Sequence, residues 1–274
     1  MTSVDQRPSA ITGKTRVMFI MGEPIAHVVG TAVLNAAWER LGRDLVTVPL
    51  HVMPDDLPHM LDTVRKSPSV AGTGITIPHK IAAASLVDRL TAAAAHAGAV
   101  NFVRRNADGT LTGHNVDGSG FLAGLAARGI DFAGRTAALA GSGGVARAIA
   151  FAAAGSALTS LTIRNRDPGK AEALAADIRA WAGASGCAVS AGDEIGGADI
   201  LINGTSLGMH EGDPLPFTTD EVAAASVAAE VVMTPAETPF LAIAAGHGCA
   251  VVPGRAMLDP QADLVARFLD GDPA

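Results

Sequence analysis

The sequence predicts an α/β protein built from open sheets covered by helices, in a chain of 274 residues. Two observations carry that expectation. Apolar runs of strand length alternate with amphipathic stretches from end to end, the pattern of a largely parallel sheet with helices on its faces. Near residue 141 a glycine-rich turn separates an apolar run from a helical stretch, a junction that places a helix N-terminus at the end of a strand.

Taken in order, "RVMFIMG" (16–22) is the first expected strand. "AVLNAAWERLG" (32–42) has helical spacing and stops at Gly42, a residue suited to a helix cap. "LVTVPLHV" (45–52) is a second strand and "DDLPHMLDTVRK" (55–66) a helix. "SVAGTGITI" (69–77) is a third strand, and Pro78 suits the start of the helix after it. "AGAVNFVRR" (97–105) and "TLTGHNVD" (110–117) straddle a turn at Ala107-Asp108-Gly109 and are expected to pair as a hairpin. These segments make one small α/β unit.

A second unit starts near residue 118, with "DGSGFLAGLAARG" (117–129) as a bridging helix. Strand, turn and helix come next in "RTAALAGSGGVARAIAFAAAG" (135–155), then a strand in "LTSLTIRNR" (158–166) and a helix in "PGKAEALAADIRAWAG" (168–183). Further strands are expected at 198–209, 227–233 and 249–254, a helix at 238–248 and a closing helix at 261–269 that returns to the first unit. No internal repeat is present.

Composition narrows the function classes. Charged residues at 17% beside 49% hydrophobic suit a compact globular protein. A net charge of −7 with no basic tract argues against nucleic acid as a partner. No run of 18 apolar residues is free of charges or turn signals, so no membrane span is expected. The first 16 residues lack an apolar signal core and read as a loose tail. Cys187 and Cys249 are too few for a disulfide framework, so a reduced cytoplasm is the expected setting. The eight histidines show no metal-ligand spacing, and no metal is expected. A small molecule is the expected partner, bound by a monomer or homodimer.

Gly141, Gly143 and Ala146 form G-x-G-x-x-A between a strand and a helix, with Ser142, Gly144 and Val145 completing the turn. The first glycine permits the tight turn, the second lets the backbone approach a pyrophosphate, and the small third residue packs helix on strand. The free N–H groups of the helix N-terminus suit phosphate. A Rossmann-like dinucleotide site is expected here, the alternative being a close helix–strand contact that binds nothing. The next strand ends in Arg164, Asn165 and Arg166, with Lys170 one helical turn later. Guanidinium groups there suit a 2′-phosphate through forked, charge-assisted bonds, so NADP is the expected cofactor. NAD stays open, because Asp167 turned toward the ribose would support it instead.

Only four lysines occur, and Lys80 stands just past an apolar strand in "GITIPHK" (74–80). The carboxyl ends of strands in open α/β sheets face the ligand crevice. Asp117 lies where the first unit hands over to the second. A lysine desolvated in a cleft titrates near neutrality more readily, and a nearby carboxylate holds it protonated and oriented. Such a pair can take a proton from an alcohol while its carbon gives up hydride to nicotinamide.

In order along the chain, "GEPIAH", "GITIPHK", "GAVNF", "GHNVDGSGF", "GSGGVARA", "NRDPGKA", "INGTSLGM", "TPFL" and "GRAMLDPQ" are similar to the motifs of the shikimate and quinate dehydrogenase family. The likeness runs from about residue 17 to about residue 268. The resemblance implies a substrate domain from both ends of the chain (1–116 and 255–274) around an NADP-binding Rossmann domain (117–254). It implies reversible hydride transfer between NADP(H) and a shikimate-like cyclic hydroxy compound or ketone, within aromatic amino acid biosynthesis. It further implies Lys80 and Asp117 as the catalytic pair and Thr76, Asn101 and Gln261 as binders of substrate hydroxyls. Thr205, Ser206 and Leu207 are implied beside the nicotinamide ribose, and Met233 and Gly254 complete the implied cofactor set.

The chain also departs from the family. Val28-Val29-Gly30-Thr31 stands where the family reads Ser-Lys-Ser-Pro, whose two serines hold the substrate carboxylate. Gly74 replaces an asparagine, Glu230 an aspartate and Met233 a tyrosine, and the chain has no tyrosine at all. A buried carboxylate without donors costs several kcal/mol of binding. Either Thr31 and backbone N–H groups replace the clamp, or the substrate is not shikimate. His79 and His114 are expected to line the pocket, and His27 to be structural. Two other readings remain: a methylenetetrahydrofolate dehydrogenase-like enzyme, and a dinucleotide-binding sensor that no longer turns over.

Overall fold

The computed structural model describes residues 11–26, 28–184 and 186–272. His27 and most of the expected N-terminal tail lie outside them. The chain forms two compact units, residues 1–115 with 262–274 and residues 116–261.

The first unit contains β1 (Arg16–Gly22), α1 (Gly30–Arg40), β2 (Leu45–His51), α2 (Leu57–Lys66), β3 (Val70–Ile75), α3 (Lys80–Leu86), β4 (Arg89–Leu90), α4 (Ala92–Ala97), β5 (Phe102–Arg105) and β6 (Leu111–His114). Its sheet runs β2-β1-β3-β5-β6-β4. Only β5 opposes the other strands, because it forms the expected hairpin with β6. β3 and β5 come together at Gly72, where a Cβ would lie 2.0 Å from the Val103 carbonyl oxygen. α1 is tied to β2 by the buried bond from the Trp38 indole N–H to Thr47 Oγ1 at 2.8 Å. Asn35 adds a two-way bond to the Thr47 backbone.

Residues 97–101, expected at the start of a strand, are instead the end of α4 and a turn. The Thr91 hydroxyl caps α4 by accepting from the Ala94 N–H, and Gly98 ends it at φ +62°. Such a cap stops a helix within one residue. The run of alanines that forms α4 has no amphipathic pattern and left no periodic signal.

The second unit contains α5 (Asp117–Ala126), β7 (Thr136–Ala140), α6 (Gly144–Ala154), β8 (Ser160–Arg164), α7 (Pro168–Ala180), β9 (Ala188–Ala191), β10 (Ile200–Asn203), α8 (Thr219–Ala224), β11 (Val227–Glu230), α9 (Pro239–Gly246) and β12 (Ala250–Val252). Its strands run β12-β11-β10-β7-β8-β9, all parallel. The central strands β7, β10 and β11 are buried along nearly their whole length because both faces are covered. Ala137 and Leu139 of β7 enter one core, and Ala138 and Ala140 enter the other. The order reverses between β7 and β10, the place where open α/β sheets leave a crevice.

α10 (Gln261–Asp270) begins with the last residue of the second unit and otherwise belongs to the first, as expected of the closing helix. Ion pairs Arg40–Asp263 and Arg43–Asp270 hold it, each at 2.5 Å. Residues 255–261, expected with the first unit, pack with the second. Gly124 of α5 lets the 254–257 turn approach so closely that a Cβ there would lie 2.4 Å from the Ala256 carbonyl oxygen. The expected strand at 198–209 stops at Asn203, whose side chain takes over the hydrogen bonds of the residues after it.

A single methyl group tests the β3–β5 approach. Gly72→Ala should lower unfolding free energy by about 1–3 kcal/mol or more, the usual cost of overpacking, in urea titrations. An unchanged midpoint would contradict the close approach.

Candidate active site

In the first unit, backbone hydrogen bonds gather the expected substrate-side residues at the carboxyl edge of the sheet. Thr76 follows β3 and donates its N–H to Met21 at the end of β1 (2.9 Å), while its carbonyl accepts from His79 (2.9 Å). Lys80 opens α3, and its carbonyl accepts from the Val100 N–H at 2.8 Å. The next residue, Asn101, is 4% exposed; it donates to the His114 carbonyl at 3.0 Å and accepts from the Ile75 N–H at 2.8 Å. Thr76, Lys80 and Asn101 therefore share one edge, held by main-chain bonds that do not depend on their side chains.

The two histidines beside that edge hold packing together. His79 is buried, and its Nε2–H donates to the Val52 carbonyl at 2.8 Å, joining the ends of β2 and β3. His114 is buried too. Its ring stacks on Phe268 of α10 at 4.8 Å, and Nδ1 lies 2.8 Å from Thr91 Oγ1. Desolvation first, then the Arg104 charge, pushes its pKa down to about 4. His114 was expected to line the pocket; in the structure it is a neutral core ring.

Val28 and Val29 lead into α1, which begins at Gly30-Thr31, and the N-cap Val29 is 62% exposed. No side chain caps this helix. Thr31 Oγ1 is buried without a hydrogen-bond partner.

In the second unit, Asp117 is the first residue of α5 and 5% exposed, a favourable place for a carboxylate. One turn on, Gly120 gives Gln261 room, since a Cβ there would lie 2.9 Å from Gln261 Cγ.

The glycine turn fits a dinucleotide phosphate. Gly141 sits at φ +112°, a conformation suited to glycine. Its N–H donates to the Arg164 carbonyl at 2.8 Å, and a Cβ on it would lie 2.9 Å from the Gly204 carbonyl oxygen. Gly143 is the N-cap of α6, with no side-chain cap and open space where its Cβ would be. Ser142, Gly144 and Val145 complete this uncapped start, and Ala146 is fully buried beneath it. Bound NADP would place its phosphates on these N–H groups.

At the end of β8 the expected roles divide. Arg164 is not turned to a 2′-phosphate. Its guanidinium forks onto Glu221 (2.5 and 2.9 Å), stacks over Phe217 at 5.4 Å and donates to the Asp193 carbonyl. The pairing holds the Glu221 carboxyl below its usual pKa. Glu221 also closes the α8 capping box with Thr218, a T-x-x-E signal present in the sequence. Asp167 is the exposed N-cap of α7, its Oδ1 accepting from the N–H groups of Gly169 and Lys170. Arg166 and Lys170 are exposed, and the half-buried Asn165 donates its amide to the Asp167 carbonyl at 3.2 Å.

After β10, Asn203 was not singled out in the sequence, yet it shapes the next loop. Its Oδ1 accepts from Thr205 N–H (3.1 Å) and Oγ1 (2.6 Å), and its amide donates to the Leu207 carbonyl at 2.9 Å. An Asx turn of this kind is legible as asparagine two residues before threonine. Ser206 stands between these two anchored residues. Met233 is 39% exposed after β11, and Gly254 lets the chain pass within 2.2 Å of the Val232 carbonyl oxygen, measured from where a Cβ would be.

Comparison with known proteins places this geometry. Residues 20–103 match the family described as the shikimate dehydrogenase substrate binding domain. An NADP(+) shikimate dehydrogenase of Rubrobacter xylanophilus is 38% identical, over 96% of this chain and 98% of the relative. The chain belongs to the shikimate dehydrogenase family. A shikimate dehydrogenase of Thermus thermophilus, solved with NADP(H) and shikimate, is similar at TM-score 0.82 and 30% identity, covering 93% of this chain and 94% of that one. A 5-ketofructose reductase of a Gluconobacter species is similar at TM-score 0.83 and 30% identity, covering 94% and 93%. Among the described residues of this family member, no three His, Cys, Asp or Glu gather as a metal site, and no helix is long and apolar enough to cross a membrane.

His114 makes a pH-dependent prediction. A histidine whose folded pKa lies below its unfolded value contributes stability that is present above about 6.5 and lost as pH falls toward about 4. Between pH 7 and pH 5 wild type should lose about 2 kcal/mol of unfolding free energy through this ring. His114→Phe, which keeps a ring on Phe268, should lack that component in urea titrations. A difference between the two proteins that is independent of pH would contradict it.

Proposed function

We propose that this chain interconverts an alicyclic alcohol and its ketone with NADP(H), with Lys80 carrying the proton. The observation that supports it most directly is the fixed grouping of Thr76, Lys80 and Asn101 at one sheet edge. Bound NADP would accept the hydride from the carbinol carbon. As that bond breaks, the hydroxyl proton passes to the Lys80 amine, and the reverse direction returns it. Thr76, Asn101 and Gln261 are the proposed hydroxyl ligands, and Asp117 the proposed partner in proton handling. On the cofactor side, Arg166, Lys170 and Asn165 are the proposed 2′-phosphate ligands, with Thr205, Ser206, Leu207, Met233 and Gly254 around the nicotinamide end. The unpaired cysteines support a cytoplasmic setting. The relatives do not favour a methylenetetrahydrofolate dehydrogenase-like enzyme or a silent sensor.

A second reading concerns the substrate. At the start of α1 the side chains of Val28 and Val29 offer no donor, and Thr31 Oγ1 is a buried hydroxyl without a partner. One similar protein is named for a ketose and not for a carboxylic acid. A polyol or ketose without a carboxylate is therefore proposed as the better substrate.

Two measurements check these readings. Lys80→Met should lower kcat by about 10²–10⁴-fold with NADPH binding retained, and Asp117→Asn combined with it should be less than additive. Near-normal turnover by Lys80→Met would remove Lys80 from the proton transfer. Shikimate should show a high KM, which serine at positions 28 and 30 lowers more than it does for a neutral analogue. Efficient shikimate turnover by wild type would contradict the substrate reading.

A further inference from the structure

Glu230 ends β11 with its side chain inside the protein, 1% exposed. Its Oε2 accepts from the Thr238 hydroxyl at 2.9 Å, and Oε1 has no hydrogen-bond partner. Burial raises the pKa of this carboxyl, and Thr238 and Asn203 offset only part of the effect. Burying such a group costs free energy, so what it holds in place is the question.

Both of its neighbours lead to one loop. Asn203, fully buried, is the register partner of Glu230 on β10 and holds Thr205 and Leu207 through its side chain. Thr238 caps α9 and stands against Gly208, whose Cβ would lie 3.1 Å from that of Thr238. The carboxyl thus underlies both ends of residues 204–208. That loop abuts the glycine turn, since a Cβ on Gly141 would lie 3.1 Å from Thr205 Cγ2.

We infer that Glu230 is a positioning residue for the coenzyme: through Asn203 and Thr238 its carboxyl holds residues 204–208 in the shape that receives the nicotinamide end of NADP. The inference rests on the proposed NADP site. The network acts on coenzyme affinity and leaves proton transfer alone, because Glu230 reaches neither reacting group. A neutral side chain of the same shape serves equally, since among the described residues no cation pairs with the carboxyl.

NADPH fluorescence titration of wild type, Glu230→Met and Glu230→Gln tests this, with amide hydrogen exchange of residues 205–208 as the second readout. Methionine keeps the volume and removes the acceptor. It should weaken NADPH about tenfold, the size expected for one or two hydrogen bonds, and speed exchange in the loop, while kcat at saturating NADP changes little. Glutamine keeps the acceptor and should stay within about threefold of wild type. A wild-type protein that does not bind NADPH overturns the site reading and this inference together. Wild type and Glu230→Met binding alike, with equal loop exchange, overturn this inference alone. Should Glu230→Met not fold, a folded Glu230→Gln that loses about tenfold in affinity overturns it, because that variant preserves the geometry.

Discussion

The dinucleotide unit is laid out around the contact between Gly141 and Gly204. Parallel pairing of β7 with β10 puts Ala140 opposite Asn203, so the chain leaves two neighbouring strands at the same level. The loops can then separate only if neither carries a side chain at the crossing. Gly141 turns away at φ +112° and its N–H reaches the Arg164 carbonyl, while the Gly204 N–H reaches the Ala140 carbonyl at 2.8 Å. The elements beyond both loops depend on that spacing: α6 begins uncapped at Gly143, and Asn203 winds the next residues into a hydrogen-bonded turn. A β-carbon at either glycine would push apart the strand ends from which both loops start.

The first unit solves a similar problem without a glycine turn. Three side chains proposed to meet substrate are brought to one edge by carbonyl and N–H groups of neighbouring strands, so their placement survives changes in the side chains themselves. His79 and His114 reinforce that edge from below, one by a bond to Val52 and one by stacking on Phe268. Such support lets the residues that lead into α1, Val28 and Gly30 among them, vary without disturbing the position of Lys80.

Much of this was legible in the sequence because strand and helix periods are local. The alternation of apolar runs, the hairpin turn, G-x-G-x-x-A and the lysine after a strand all carried their meaning within a few residues. What the sequence hid was the destination of polar side chains. Arg164 looked available at a strand end, but Glu221, 57 residues later, captures it. Asp167 looked like a ribose reader alone, but its Oδ1 also caps α7 by accepting from two N–H groups. His114 looked like pocket lining until Phe268, from the far end of the chain, covered it. Short elements such as α4 and β9 escaped because their formation depends on a cap or a neighbouring strand.

These assignments converge on one consequence: Arg164 is tied to Glu221, while Arg166 and Lys170 are exposed and are the proposed ligands of a 2′-phosphate. Dissociation constants of wild type and Arg166→Ala for NADPH and NADH, measured under the same conditions, examine that directly. The account predicts that wild type prefers NADPH and that the substitution weakens NADPH by about 1.5–3 kcal/mol, the usual worth of a hydrogen bond to a charged group, with NADH nearly unchanged. Equal affinity of wild type for both coenzymes, or equal losses on substitution, would contradict it.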